Sequence, residues 1–202
     1  GSGLTLTKSG ANTVTLASGN TIGPGTIAIQ QGTLLLGAAN QIGDNTAITL
    51  SGGTFNTAGY GDAVGKLTVS GASTIKGLNT TSGTAFTFSD IDLGGYSTSS
   101  GSALTFLPTS GTYTLGQVIQ LSSVAASSWT GYTTTSLNNF ADKISFSDAN
   151  LRAQINFGGG TSGTTLTVAA IPEPKVYAAA VVLLALIGWT EARRRRLRAK
   201  SV

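Results

Sequence analysis

Apolar and polar residues alternate along most of the chain in runs of four or five residues, and the runs end at Gly or Ser-Gly. Alternation with a period of two indicates β-strands, and Gly allows the sharp corners that would join them. The pattern repeats with Leu34, Phe55 and Ile75 at matching positions, 21 and 20 residues apart. Each repeat therefore predicts two short strands joined by a corner.

Repeats of this length must stack on one another to bury a core, because a strand of five residues spans only about 16 Å. Parallel stacking of coils of about 20 residues makes a β-helix, with Ile, Leu, Val and Phe inside and Thr, Ser and Asn outside. An antiparallel sandwich is the competing fold, since it also consists of short strands and frequent turns. The similarity recurs at the length of a coil and not of a hairpin, so the predicted fold class is all-β, a parallel β-helix or solenoid.

The pattern becomes less regular after Lys76. The segment Ser122 to Asn139, with Trp129 and Tyr132, is the least regular, and a loop, a short helix and a lateral excursion all remain open for it. An irregular end fits the C-terminal cap that an open stack of coils requires. Later strands are predicted at 85–88, 103–106, 111–115, 117–121, 143–146 and 164–168.

The last part of the chain differs from the rest, because it contains a long uncharged apolar run followed by four arginines. The run is about 14 residues long and predicts a single C-terminal transmembrane helix of roughly 21 Å, against roughly 30 Å of hydrocarbon. A buried core helix is the alternative, but a β-helix offers only a cap-sized surface to cover an all-apolar helix. The predicted membrane residues include Val176, Tyr177, Val181, Leu184, Ile187 and Trp189, and the basic stop is Arg193, Arg194, Arg195 and Arg196.

The charge distribution supports this division of the chain. Only 10% of the residues are charged, and the part before the tail is close to neutral, with five basic and six acidic side chains. The positive excess lies in the tail, where it predicts a cytoplasmic end by the positive-inside rule and no nucleic-acid binding by the body. The predicted organisation is β-helix repeats over 1–80, irregular β coils and a C-terminal cap over 81–170, and the tail over 171–202.

The composition narrows the possible chemistry. The chain has no Cys, His or Met, which excludes disulfides, thiolate metal sites and the commonest general base. Asp90 and Asp92 are the only closely spaced carboxylates that suggest catalysis, and we expect them to be solvated or to form a weak calcium site. We therefore predict no catalytic residue, no metal site and no cofactor. Because the chain opens Gly-Ser-Gly, we expect it to be a fragment or a processed product.

The repeats resemble a known family. The segment Leu36 to Phe55, which contains Ala38-Ala39-Asn40-Gln41-Ile42-Gly43-Asp44, is similar to the autotransporter-associated β-strand repeat, and Gly3 to Gly19 resembles the end of a preceding copy. The resemblance covers roughly the first 80 residues. That family implies an exported bacterial protein with a β-helical passenger.

The tail carries a second resemblance. Pro172, Glu173 and Pro174, then an apolar helix and then the arginines, are similar to the PEP-CTERM sorting signal in order, spacing and terminal position. This family implies recognition by exosortase, a membrane-embedded transpeptidase-like protease, with cleavage near Pro-Glu-Pro. It also implies delivery to the cell surface or extracellular polymer matrix of a Gram-negative bacterium. Lys175 stands where Ser or Thr is commoner, so the scission point stays open.

Together these features predict an exported, non-enzymatic protein with a structural or adhesive role at the cell surface or in the extracellular matrix. Its body would be periplasmic or extracellular while the tail anchors it during export. The expected partners are the membrane, the exosortase and, as a further candidate, extracellular polysaccharide. Two alternatives remain at this point: a carbohydrate-active β-helix enzyme, and a stalk fragment of a larger passenger.

Overall fold

A computed structural model describes residues 3–19, 21–78, 85–94, 104–156 and 163–171 of the chain. The elements are mostly short strands that alternate between buried and outward-facing residues. One α-helix, α1 (Thr134–Lys143), and one 3-10 turn, Ala126–Ser128, interrupt them. The strands are β1 (Leu4–Lys8), β2 (Thr13–Leu16), β3 (Gly25–Ile29), β4 (Thr33–Leu36), β5 (Ala47–Leu50), β6 (Thr54–Asn56), β7 (Asp62–Val69), β8 (Ser73–Lys76), β9 (Phe86–Ile91), β10 (Leu104–Leu107), β11 (Val118–Ser122), β12 (Ile144–Phe146), β13 (Leu151–Asn156) and β14 (Thr164–Ala170).

The strands form two sheets, and successive strands from β1 to β13 alternate between them. One sheet has the order β1-β3-β5-β7-β9-β11-β14-β13, and the other has the order β12-β10-β8-β6-β4-β2. Pairing from β1 to β11 in the first sheet, and throughout the second, is parallel. The fold is therefore a parallel β-solenoid, as predicted. The alternative prediction, an antiparallel sandwich, is wrong.

The core is a set of columns in which one apolar residue of each coil lies on the next. Leu34, Phe55 and Ile75 are register partners across β4, β6 and β8, which confirms the repeat anchors. All three are fully buried, and the ring of Phe55 meets the ring of Phe86 edge-on at 5.1 Å. Ring pairs in this geometry stabilise a core beyond the area that they bury.

Close stacking of the coils depends on glycine at some corners. A Cβ atom at Gly53 would lie 2.6 Å from Ile29 Cγ2 and 3.1 Å from the carbonyl oxygen of Gly32. Such contacts are closer than atoms can approach without displacement of the neighbouring coil. Glycine at this corner therefore lets two coils approach at the normal strand spacing.

The C-terminal end of the solenoid departs from the parallel pattern. β14 pairs antiparallel with β11, and β13 follows β14 at the end of the sheet. Helix α1 begins at a capping box, in which the Thr133 hydroxyl accepts a hydrogen bond from the Ser136 N–H. Leu137 and Phe140 of this helix are buried, so the apolar face of α1 contributes to the core.

Two sequence-based expectations differ from the structure in this region. No strand forms at 111–115, because the chain turns there at positive φ angles of 69° at Gly111 and 85° at Gly116. Tyr113 is buried, and its hydroxyl donates to the carbonyl oxygens of Leu78 and Leu107 at 3.3 Å each. The alternation around Tyr113 therefore reflects one inserted side chain and not a strand. Conversely, β13 was not predicted, and α1 and the 3-10 turn show that a short helix is the correct choice within 122–139.

The chain divides into two compact units, Gly1–Ala169 and Ala170–Val202. The first unit contains both sheets up to β14 and the buried core of the described residues. A continuous core of this kind is what allows a domain to fold alone. In the second unit, the described residues are Ala170 and Ile171.

Candidate functional site

The sorting and membrane residues predicted from the sequence lie outside the described residues. This applies to Pro172, Glu173 and Pro174, to Val176, Tyr177, Val181, Leu184, Ile187 and Trp189, and to Arg193, Arg194, Arg195 and Arg196. Within the ranges that the structure describes, no helix combines the length and hydrophobicity needed to cross a bilayer. The sorting and membrane roles of the tail therefore stay predictions. The surfaces that the structure describes belong to the body.

Asp90 and Asp92 make contacts with different parts of the chain. Asp90 accepts hydrogen bonds from the N–H and the hydroxyl of Thr130, with a distance of 2.7 Å for the N–H. Asp92 accepts the Gly94 N–H at 3.0 Å and lies 3.5 Å from Lys66 Nζ in a partly exposed ion pair. Asp90 therefore attaches the irregular segment to β9, whereas Asp92 contacts Gly94 and Lys66 of β7.

The carboxylates of the body were also considered as metal ligands. Among the described residues, no group of three or more His, Cys, Asp or Glu side chains could hold a metal ion. A hard cation such as calcium takes six to eight oxygen ligands, far more than an isolated carboxylate supplies.

Asp62 is the one strongly buried carboxylate among the described residues. Its Oδ2 accepts the Ile42 N–H at 2.9 Å, and its Oδ1 accepts the Ala63 N–H at 2.9 Å. One coil earlier, the equivalent N–H of Ile22 donates to the backbone carbonyl of Gln41. Burial raises the pKa of the Asp62 carboxyl above its ordinary value of 3.8, although the N–H groups of Ile42 and Ala63 oppose the shift. The side chain of Asp62 thus replaces a backbone carbonyl at one corner, which is a structural role.

A row of hydroxyl groups runs along the outside of the second sheet. The register pairs Thr13 with Thr33, then Thr54, Thr74, Thr105 and Ser145, with one hydroxyl residue for each coil. Neighbouring strands in a sheet lie about 4.8 Å apart, so the hydroxyls repeat at that spacing. The Thr105 and Ser145 hydroxyls lie 3.0 Å apart and share a hydrogen bond. The row is polar and uncharged, and each hydroxyl can both donate and accept.

A shallow groove of about 330 Å³ follows this row, and we call it the threonine groove. It exists because the corner residues next to the threonines have little or no side chain. Every residue that lines it is uncharged: Gly32, Thr33, Gly52, Gly53, Thr54, Ala72, Ser73, Thr74 and Thr105. The sequence contained a signal for it, since Thr33, Thr54 and Thr74 stand at matching positions of the repeats. From the alternation alone, these threonines are expected only to face solvent.

A second groove of about 440 Å³ lies between α1 and β13. Its lining combines apolar residues with both signs of charge, from Asp142 and Arg152, beside Asn138 and Gln154. These side chains are exposed or half-exposed, and their charges are typical of a solvated helix and edge strand. The threonine groove is therefore the more regular of the two surfaces.

Comparisons with known proteins identify no relative. No protein-family model, no curated protein and no solved structure matches the chain.

Proposed function

We propose that this chain is an exported, non-enzymatic protein of the bacterial cell surface or extracellular matrix, with a structural and adhesive role. In this proposal the β-solenoid is the part displayed outside the cytoplasm. The segment 171–202 acts as an exosortase-type sorting signal, in which a single C-terminal transmembrane helix anchors the body until processing.

The observation that carries the structural role is the solenoid itself, whose columns of apolar residues run unbroken from coil to coil. Each coil contacts only its neighbours, so such a stack makes an extended surface and not an enclosed cleft. Of the two carboxylates that suggested catalysis, Asp90 bonds to Thr130 and Asp92 pairs with Lys66 of β7. These features favour a structural protein over a carbohydrate-active enzyme.

The threonine groove supports the adhesive part of the proposal. Its lining bears no charge, and its hydroxyls recur with the regular spacing of the strands. A linear, uncharged polysaccharide offers repeating hydroxyl groups to such a surface without the cost of burying a charge. Extracellular polysaccharide is therefore the partner that we propose for the body, in addition to the membrane and the exosortase.

The proposal predicts where the chain is found in a Gram-negative host that exports it and carries an exosortase. We expect the full chain in the membrane or extracellular-polymer fraction. A variant that lacks residues 172–202 is expected in soluble form, because the apolar run and the arginines that would hold it at a bilayer are gone. The measurement is immunodetection of the body in fractionated cells and medium.

A matched control separates anchoring from processing. Replacement of Pro172, Glu173 and Pro174 by Ala keeps the apolar run and the arginines, so this variant is expected to accumulate unprocessed in the membrane fraction. Fractionation that is the same for the full chain and for the deletion variant would contradict the proposed role of the tail.

A further inference from the structure

The threonine groove repeats its chemistry in one direction only. Thr33, Thr54 and Thr74 are register partners in neighbouring coils, so each step across the strands meets the same kind of side chain. The next outward positions on the same three strands differ from coil to coil: Leu35, Asn56 and Lys76. A ligand with a repeating unit therefore finds matching partners only when it lies across the strands, along the axis of the solenoid.

The hydroxyls of this row are available to a ligand. Within the part of the chain that the structure describes, the side chains of Thr33, Thr54 and Thr74 form no hydrogen bond, and all three are partly exposed. The Thr105 hydroxyl, by contrast, already shares a hydrogen bond with the Ser145 hydroxyl. A hydroxyl without a partner in the protein can donate one hydrogen bond and accept two. Three successive coils thus present hydroxyl groups whose hydrogen-bonding capacity the fold leaves unused.

The outside of the first sheet carries no comparable row. Ala28 lies between Thr7 and Thr49 in the register, so the hydroxyls are interrupted there. Further along this sheet, Lys66 and Asp90 are register partners and bring charge to the surface. Among the described strands, the row on the second sheet is therefore the longest run of hydroxyls from coil to coil.

We propose that the threonine groove binds one glycan chain lengthwise, with the chain parallel to the solenoid axis and one sugar ring opposite each coil. This inference rests on the proposed adhesive function and specifies how the polysaccharide is held. Neighbouring coils are about 4.8 Å apart, and an extended chain of pyranose rings advances by a comparable length for each ring. Each ring then meets one threonine hydroxyl, and the next ring repeats that contact on the next coil. Because every residue that lines the groove is uncharged, the rings bound there are neutral.

The first test is the dependence of affinity on chain length. Isothermal titration calorimetry measures the binding of β-1,4-linked glucose oligomers of one to six rings to residues 1–171, which contain the buried core of the described residues. We expect the association constant to rise with each ring up to three or four, where the groove ends, and to change little in longer oligomers. A chain that lay along a single strand would contact one coil. An association constant that stays the same beyond two rings would therefore contradict the lengthwise arrangement.

The second test removes the hydroxyls one at a time. T33V, T54V and T74V each replace a hydroxyl by a methyl group on a side chain of nearly the same shape. We expect each variant to lower the association constant of the four-ring oligomer by about threefold to tenfold, and by similar factors, because each loses one equivalent hydrogen bond. Thr49 gives the matched control, since it is a partly exposed threonine of β5 on the outside of the other sheet. T49V is expected to bind like the wild type, and circular dichroism checks that all variants keep the β fold.

The outcomes separate this inference from the proposed function. Binding that is equal in the wild type and in T33V, T54V and T74V would overturn the lengthwise site and leave adhesion to another surface of the body. A loss in T49V as large as that in T54V would overturn it in the same way. Absence of binding at every chain length would overturn both the lengthwise site and the adhesive part of the proposed function.

Discussion

At the scale of single residues, the solenoid places most of its buried polar side chains at the corners and at the ends of strands, and not in strand interiors. Thr46 Oγ1 donates to the carbonyl oxygen of Gly23 at 3.1 Å, and Thr57 Oγ1 donates to that of Gly77 at 2.7 Å. Asp62 is the extreme case, because a carboxylate takes the place of a backbone acceptor. Buried polar side chains in this fold therefore report on corner geometry, since an unpaired buried group would cost free energy.

Substitution of Asp62 tests this interpretation. D62A leaves the buried N–H of Ile42 without its acceptor, so we expect the free energy of unfolding at pH 7 to fall by about 1–3 kcal/mol. D62N keeps one side-chain oxygen as an acceptor, and we expect a smaller loss. Denaturant unfolding of residues 1–171 measures both, and equal losses in the two variants would contradict the role of the acceptor.

The pH dependence of stability gives a second readout of the same residue. Because the pKa of Asp62 is raised in the folded state, the unfolded chain releases this proton at lower pH than the folded chain does. Below pH 3.8 the carboxyl is protonated in both states and has no charge to bury. The unfolding free energy of the wild type is therefore expected to fall relative to D62N as the pH rises from 3.8 through the raised pKa, and to stay constant above it. An unfolding free energy of the wild type that rises relative to that of D62N over this pH range would contradict the raised pKa.

At the scale of elements, the strands gain their stability from columns that cross many coils. Phe55 is fully buried, whereas Val14 in the same column is 48% exposed. We expect F55A to lower the free energy of unfolding by about 3–5 kcal/mol, and V14A to lower it by about 1 kcal/mol or less. The measurement is denaturant unfolding of residues 1–171. Similar losses for both variants would mean that burial is not graded along the column.

The same columns explain which elements the sequence predicts. Leu34, Phe55 and Ile75 identify the coils because each repeat places its apolar residue at a matching position, and the register follows from that spacing. The strand predicted around Tyr113 is wrong, because one buried side chain between polar neighbours gives the same alternation as a strand. The backbone there turns at Gly111 and Gly116. The antiparallel pairing of β14 with β11 is a contact between distant segments, and alternation within either segment carries no information about it.

The repeated surface and the irregular contacts also differ in how far the sequence predicts them. The threonine groove was predictable in principle, since Thr33, Thr54 and Thr74 repeat with the coils and the neighbouring residues are small. The use of Asp90 to hold Thr130, 40 residues away, was not predictable, because it depends on where an irregular segment returns to the sheet. Local pattern therefore predicts the repeated surface, and the irregular contacts require the fold.

At the scale of the whole molecule, the chain joins a nearly neutral body to a basic tail. All the excess positive charge lies in the tail, after Pro172. A solenoid built from neutral coils is suited to present a long surface, and a tail with an apolar run and arginines is suited to direct that surface to a membrane. The proposed function combines these two properties.

The most direct test of this account is the C-terminal sequence of the chain recovered from the cell surface or extracellular matrix, determined by mass spectrometry. The account predicts that the protein is found there and that its last residue lies near Pro172 to Pro174, with the apolar run and the arginines removed. Recovery of the chain only from the cytoplasm, intact through Val202, would contradict it.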